Sequence, residues 1–193
     1  MPFIKKNSSL STPAITIGGA DRAGEVFKST IITNSGVMQK GDQVAVVVQA
    51  SGNGVVVRRY NAAGDKILGI CVGFGRASGA VVAFDSGTND TVTVAADNET
   101  VAQIYAIVDI TPGAVWSAPF TPAATIHTTA IFGYGAQVEG GTGTSAGGLT
   151  ETTVSRTVSA HLGWACLGPD PDAPTRGLVV CVEGLFRGSQ TAS

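Results

Sequence analysis

Apolar residues in this chain come in short runs bounded by glycine, asparagine and aspartate, and the runs are dominated by valine. Val44 to Val48 follows Lys40-Gly41-Asp42, and Val55 to Val57 follows Ser51-Gly52-Asn53-Gly54. That spacing predicts a hairpin, because an Asn-Gly pair supplies the positive φ angles of a tight turn. Asn61 to Asp65 separates this pair from a third run, Ile67 to Phe74, and Ala80 to Phe84 reads as a fourth. After Asp85-Ser86-Gly87, the alternation Thr91-Val92-Thr93-Val94 places valines on one face of a strand and threonines on the other.

Residues 88–111 lack both Gly and Pro and are the best place for a helix. Ala95 to Glu99 breaks the valine pattern there, however, and Val101 to Ile110 is rich in β-branched residues. Two strands joined by a polar turn, with room for one helical turn near Asn98, is the expectation. Thr153 to His161 alternates again, and its threonines and serines disfavour a helix. Leu178 to Val182 follows a sharp turn at Gly168-Pro169-Asp170-Pro171-Asp172 and reads as the last strand.

The two ends of the pattern differ from its middle. Residues 1–20 combine Lys5 and Lys6, a polar stretch and a short alternation at Ile15-Thr16-Ile17, and they predict an extended N-terminal arm with little to add to a core. Residues 140–148, Gly-Gly-Thr-Gly-Thr-Ser-Ala-Gly-Gly, predict an exposed, mobile loop. The chain is therefore expected to be all-β: residues 21–193 form a single β-sandwich or barrel-like domain of about eight to eleven short strands.

Composition sharpens this picture. Of 193 residues, 26 are glycine and 23 valine, against seven leucines. Only 13% are charged and the net charge is -2, which disfavours nucleic acid, since a phosphate backbone needs a concentrated basic face. Lys5-Lys6 and Arg58-Arg59 are the only adjacent basic pairs, and they read as solvated arm or strand edge. Cys71, Cys166 and Cys181 are odd in number and sit in apolar sequence, the pattern of buried reduced thiols. No run approaches the length of a membrane span, so neither a membrane nor an export route is expected and folding in cytoplasm is the simpler assumption.

Candidate chemistry is thin. Gly69-Ile-Cys-Val-Gly73-Phe-Gly75-Arg-Ala-Ser-Gly79 follows an apolar run but misses the dinucleotide fingerprint at Ser78, so it reads as a strand with glycines at a bulge or close crossing. His127 and His161 lack partners at metal-ligand spacing. Asp170, Asp172, Asp97, Glu99 and Asp109 are the carboxylates available for glycoside chemistry, although turn stabilisation explains acidic residues at such positions equally well. Trp116, in a Pro-rich loop, is either a sugar-binding platform or an anchor over one end of the core or a subunit interface. No catalytic, cofactor or metal residue is assigned.

Three segments carry a resemblance. Tyr60 to Phe74 resembles tailed-phage virion structural proteins, in particular small capsid decoration (cement) proteins, while Asp97 to Asp109 with Ser117-Ala118-Pro119, and Asp170 to Arg176 leading into Leu178 to Glu183, resemble uncharacterised phage structural proteins. The resemblance implies a non-enzymatic virion protein, made in the host cytoplasm, that binds the outer surface of the head and stabilises contacts between major capsid subunits. The partners it implies are the major capsid protein and further copies of the chain, as dimers or trimers. Ile4, Lys5, Lys6, Ile15, Thr16 and Ile17 are the candidate capsid-contact arm, and Trp116 is the candidate interface anchor. Two alternatives stay open: a tail or head-fibre component that touches the host, and a carbohydrate-binding β-sandwich module or hydrolase.

Overall fold

Valine and threonine runs become strands because their branched side chains fit a pleated, half-buried surface, and the glycines between them supply turns and close approaches. A computed structural model of the protein describes residues 3–6, 26–32, 36–48, 55–61, 65–83, 91–111, 114–121, 137–144, 150–158 and 163–181. Among them are thirteen strands, two more than the upper expectation: β1 (Ile4–Lys6), β2 (Val26–Thr30), β3 (Gly36–Gln39), β4 (Gln43–Val48), β5 (Val55–Arg59), β6 (Ile67–Arg76), β7 (Thr91–Val94), β8 (Ile104–Asp109), β9 (Val115–Thr121), β10 (Gln137–Thr144), β11 (Thr150–Val158), β12 (Trp164–Asp170) and β13 (Ala173–Cys181). The helical turn expected near Asn98 is one wide turn, Asn98–Ala102, closed by the Gln103 amide donating to the Asn98 carbonyl.

The strands make two rings and a ribbon. In the larger sheet the order β1-β9-β11-β10-β12-β13 closes on itself, because β13 also pairs with β9; only the β9–β11 pairing is parallel. Pro119, which has no N–H to give, stands where the β9 edge changes partner from β1 (residues 115–117) to β11 (residues 120–121). The second sheet runs β2-β8-β6-β4-β5, and a bridge from Ile31 to Val57, with the Ile32 amide donating to the Val57 carbonyl, brings its two ends together. β3 and β7 form a two-stranded ribbon. The all-β, barrel-like expectation holds.

Two apolar clusters fill these layers. The first joins Trp116, Ala118, Val154, Trp164, Cys166 and Val179 of the larger sheet to Phe3 and to Ala45, Tyr60, Ile67 and Ile70 from β4–β6. The second joins the opposite faces of the same strands, through Val44, Val57, Leu68 and Cys71, to Ile104, Ala106 and Val108 of β8 and to Met38, Val92 and Val94 of the ribbon. β4 at residues 43–45 and β6 at residues 67–71 are therefore buried on both faces. A bulge makes this possible in β6: Val44 pairs with Gly69 and Ala45 with Ile67, leaving Leu68 as the extra residue. The extra residue flips the side-chain parity, so Ile67 and Ile70 both enter the first cluster while Leu68 and Cys71 both enter the second.

Two further bulges turn apolar side chains outward. Val72 is the extra residue between Cys71 and Gly73 against β8, and Leu167 the extra residue between Cys166 and Gly168 against β13. Both are exposed. The glycine-rich run at 69–75 is thus a bulged strand, as read from its sequence. A Cβ on Gly69 would collide with the Asp109 carbonyl oxygen, and one on Gly75 with the Tyr105 ring.

Four expectations are corrected. Residues 140–144, expected in a mobile loop over 140–148, are the second half of β10 and pair with Thr150 to Val154 of β11; a ladder needs only backbone groups, which glycine supplies, and residues 145–149 lie outside the described residues. Residues 80–83 of the predicted Ala80 to Phe84 strand join no sheet: Gly79, at φ +75°, ends the turn before them, and Val82 alone packs inward, on the second cluster. Gly168, Pro169 and Asp170 belong to β12, so the sharp turn shrinks to Pro171-Asp172; Gly168, at φ +147°, absorbs the irregularity as a bulge. Residues 3–6 of the predicted arm are docked on the body, with Phe3 buried, because its ring fits against Trp164 and the strand ladder satisfies its backbone. The Val44/Val55 hairpin forms with Val48 opposite Val55, and its turn at Asn53-Gly54 lies outside the described residues.

Gly69→Ala is expected to lower the unfolding free energy by about 3 kcal/mol, since backbone rather than a flexible side chain blocks the added methyl. Gly79→Ala, where the added carbon meets open space and only the left-handed φ is strained, costs about 1–2 kcal/mol. Urea titration of the two variants checks the order.

Candidate functional site

The most concentrated polar chemistry in the described residues surrounds β1. Its three residues pair antiparallel with β9, Ile4 opposite Ser117, Lys5 opposite Trp116 and Lys6 opposite Val115. The Phe3 amide donates to the Gly41 carbonyl (3.0 Å), and the Phe3 ring lies 5.2 Å from that of Trp164. Trp164 in turn donates its indole N–H to Gln43 Oε1 (2.8 Å), tying the larger sheet to β4 in a fully buried hydrogen bond. Lys5 Nζ reaches Asp109 Oδ2 at the end of β8 (2.6 Å) and sits 5.8 Å over the Trp116 ring. Lys6 Nζ lies between Asp170 Oδ1 (3.2 Å) and Asp172 Oδ2 (2.9 Å) at the β12–β13 turn. Four residues thus clasp both sheets at once.

Beneath Lys6 the polar network continues inward. Ser117 Oγ donates to Asp170 Oδ2 and accepts from Arg176 Nε (2.8 Å), while Arg176 Nη2 donates to the Ser117 carbonyl (2.6 Å). All three side chains are buried, so the carboxylate and the guanidinium compensate each other through the serine. Burial pushes the Asp170 carboxyl up, but hydrogen bonds from Ser117, from the Asp172 amide and from Lys6 outweigh it and hold it below the ordinary carboxylate range. Asp109 is held low in the same way, burial being outweighed by Lys5 and Thr111. The Lys6 ammonium is raised, chiefly by its hydrogen bond to Asp172.

These facts bear directly on the candidate residues. Ile4, Lys5 and Lys6 are brought together, but on the protein's own body; Ile4 keeps an exposed side chain. Ile15, Thr16 and Ile17 lie outside the described residues, as do His127 and His161. Trp116 is in strand β9 rather than a loop, and at 4% exposure it is a core anchor, its ring unable to serve as an open platform in this conformation. Asp109, Asp170 and Asp172 are engaged by lysines, and the two depressed carboxyls are ionised at neutral pH, the wrong state for the general acid of glycoside hydrolysis. Ser117 directs its hydroxyl proton to the Asp170 carboxylate and accepts from Arg176. Arg58 pairs with Asp65 (2.7 Å), and with side-chain exposures of 33% and 13% the pair is half-buried rather than the solvated edge expected. Among the described residues, no group of three or more His, Cys, Asp or Glu is placed to hold a metal ion, and no helix is long and apolar enough to cross a membrane.

Three buried polar residues did not stand out in the sequence. Gln43 has already been placed against Trp164. Asn98 donates from Nδ2 to the carbonyls of Ile31 (2.7 Å) and Ile104 (2.9 Å) and accepts from the Ile104 amide (2.9 Å), fixing the corner where the smaller ring closes. Asp42 accepts from the Gln39 amide (2.9 Å) and stabilises the turn before β4. A polar residue inside or beside an apolar run was the available signal, and in an all-β chain it looks the same as a turn residue. The cysteines are thiols rather than disulfides; Cys71 and Cys166 are buried and Cys181 half-buried, and burial pushes the Cys71 thiol up to about 12.

Comparison with known proteins returns nothing: no family model, no curated protein and no solved structure matches the chain.

The clasp gives a defined acid response. A carboxylate whose folded pKa is depressed stabilises the fold above its unfolded pKa, near 3.9, and that contribution is lost as pH falls through the lower folded value. The melting temperature should therefore hold from pH 7 to about 4 and fall below it. Lys6→Met removes one of the contacts that hold Asp170 low, so its pKa rises and the acid limb moves to higher pH; an unmoved limb contradicts the clasp. With a thiol reagent at pH 8, Cys181 should react first, and Cys71 only on unfolding.

Proposed function

We propose that the protein is a non-enzymatic virion structural component, a capsid decoration protein that binds the outer surface of a phage head and stabilises contacts between major capsid subunits. The observation that carries the reading is the division of polar and apolar groups. Several buried charges are absorbed by internal pairs, whereas apolar side chains are turned outward: Val81 is 91% exposed and Leu167 56%, with Ile4, Val72 and Val37 also exposed. A weakly charged body with outward apolar side chains suits a protein whose copies crowd against one another and against a larger surface. The bulges at Val72 and Leu167 lie in interior ladders, β6–β8 and β12–β13, and turn these two side chains outward without opening the sheets. The sequence resemblance supports the same reading, and the capsid surface and further copies of the chain are the partners it requires.

The purified protein should bind expanded heads that lack it and raise their resistance to heat. Val81→Asp, at a fully solvated position, should leave the melting temperature of the free protein unchanged and reduce occupancy on heads about tenfold, the effect of losing roughly 1.4 kcal/mol per copy. Cryo-EM of decorated particles reads the occupancy. Heads equally robust with and without the protein would defeat the proposal, and density on a tail or fibre would move the protein to that class.

A further inference from the structure

β1 and the site that receives it are joined only through residues 7–25, 19 residues between Lys6 and Val26. Every group that holds β1 lies far away in sequence: Gly41, the nearest, is 38 positions from Phe3, and Asp109, Trp116, Trp164, Asp170 and Asp172 are more distant still. The receiving surface is complete without β1's own neighbours. It consists of an open stretch of the β9 edge, a buried indole, a backbone carbonyl and three carboxylates.

We infer that this site takes the Phe3–Lys6 segment of a second copy of the chain, so that crowded neighbours exchange their first strands. The recognition is specific to this segment: an aromatic ring for Trp164, then a two-residue step to adjacent ammonium groups, Lys5 for Asp109 and Lys6 for Asp170 and Asp172. A 19-residue connection reaches up to about 65 Å when extended, enough to pass from one small domain to the next. The same connection supplies the chain's own strand at an effective concentration in the ~mM range, so isolated molecules in dilute solution close on themselves. Copies held side by side present a neighbour's strand at a comparable concentration, and the exchanged state repeats every contact of the closed one. Exchange then links neighbours without any new interface. This holds whether or not the crowding surface is a capsid.

Carbodiimide coupling joins an ammonium to a carboxylate already in contact and so records which copy supplies the strand. Lys6 and Asp172, 2.9 Å apart with Asp172 exposed, are suited to it. Equal amounts of ¹⁴N- and ¹⁵N-labelled full-length protein are mixed, equilibrated, coupled and digested. Lys6–Asp172 linked peptides should be isotopically uniform at about 10 μM, and mixed peptides should rise at least about tenfold at about 1 mM. Linked peptides that stay uniform at the higher concentration overturn the inference. A charge-reversed pair gives an independent readout. Lys5→Glu and Asp109→Lys chains each mismatch their own clasp at that ion pair and match the other's, so the mixture should sediment at twice the mass of one chain. A mixture that sediments as single chains counts against exchange as directly as uniform peptides do.

Discussion

β4 at residues 43–45 and β6 at residues 67–71 are buried on both faces, and the rest of the structure follows from that constraint. A strand between two apolar layers must supply side chains to each, must leave no backbone group unpaired and must tolerate close approach from both sides. β6 meets all three demands with a bulge at Leu68, ladders to β4 and β8, and Gly69 where the Asp109 carbonyl comes too near for any side chain. The two apolar clusters share these strands, so neither ring of strands can form its interior without the other.

Polar groups then fix what apolar packing leaves loose. Apolar contacts are non-directional, and a valine-rich sheet can slip in register at little cost unless something marks the position. Gln43 accepting from Trp164 sets the larger sheet against β4, Asn98 sets the closing corner of the smaller ring, and the lysines of β1 find carboxylates on β8 and at the β12–β13 turn. Each mismatch would leave a buried donor, acceptor or charge unsatisfied, at a cost of about 1–3 kcal/mol or more. The residues that a search for catalysis singled out, Asp109, Asp170 and Trp116, are in this sense the fasteners of the fold.

Strand identity was legible in the sequence and strand partnership was not. The apolar runs at 44–48, 55–57 and 67–74, the alternation at 91–94 and the polar turn at Asn98 all read correctly, because apolar runs, β-branching and turn residues are local signals. Burial on both faces was hidden: the bulge at Leu68 breaks period-two alternation, and Ile67-Leu68-Gly69-Ile70-Cys71 appears simply apolar. Trp164 to Asp170 and residues 140–144 were missed for opposite reasons. The first carries Gly and Pro inside a strand that accommodates them at bulges, and the second has almost no side chains to show a pattern. At the clasp, Lys5, Lys6, Asp170 and Asp172 were visible as charges, but only the β1–β9 and β12–β13 pairings bring them within reach of one another.

The central claim is that the two clusters are one cooperative unit through β4 and β6. Nature provides separate reporters: both tryptophans, Trp116 and Trp164, lie in the first cluster, and Met38, one of only two methionines, is fully buried in the second. Urea unfolding followed by tryptophan fluorescence and by the ¹³C-labelled methyl resonance of Met38 compares them in one sample. The shared-strand account predicts coincident transitions with the same midpoint and slope. A Met38 methyl that loses its native shift while the tryptophans remain buried would contradict it.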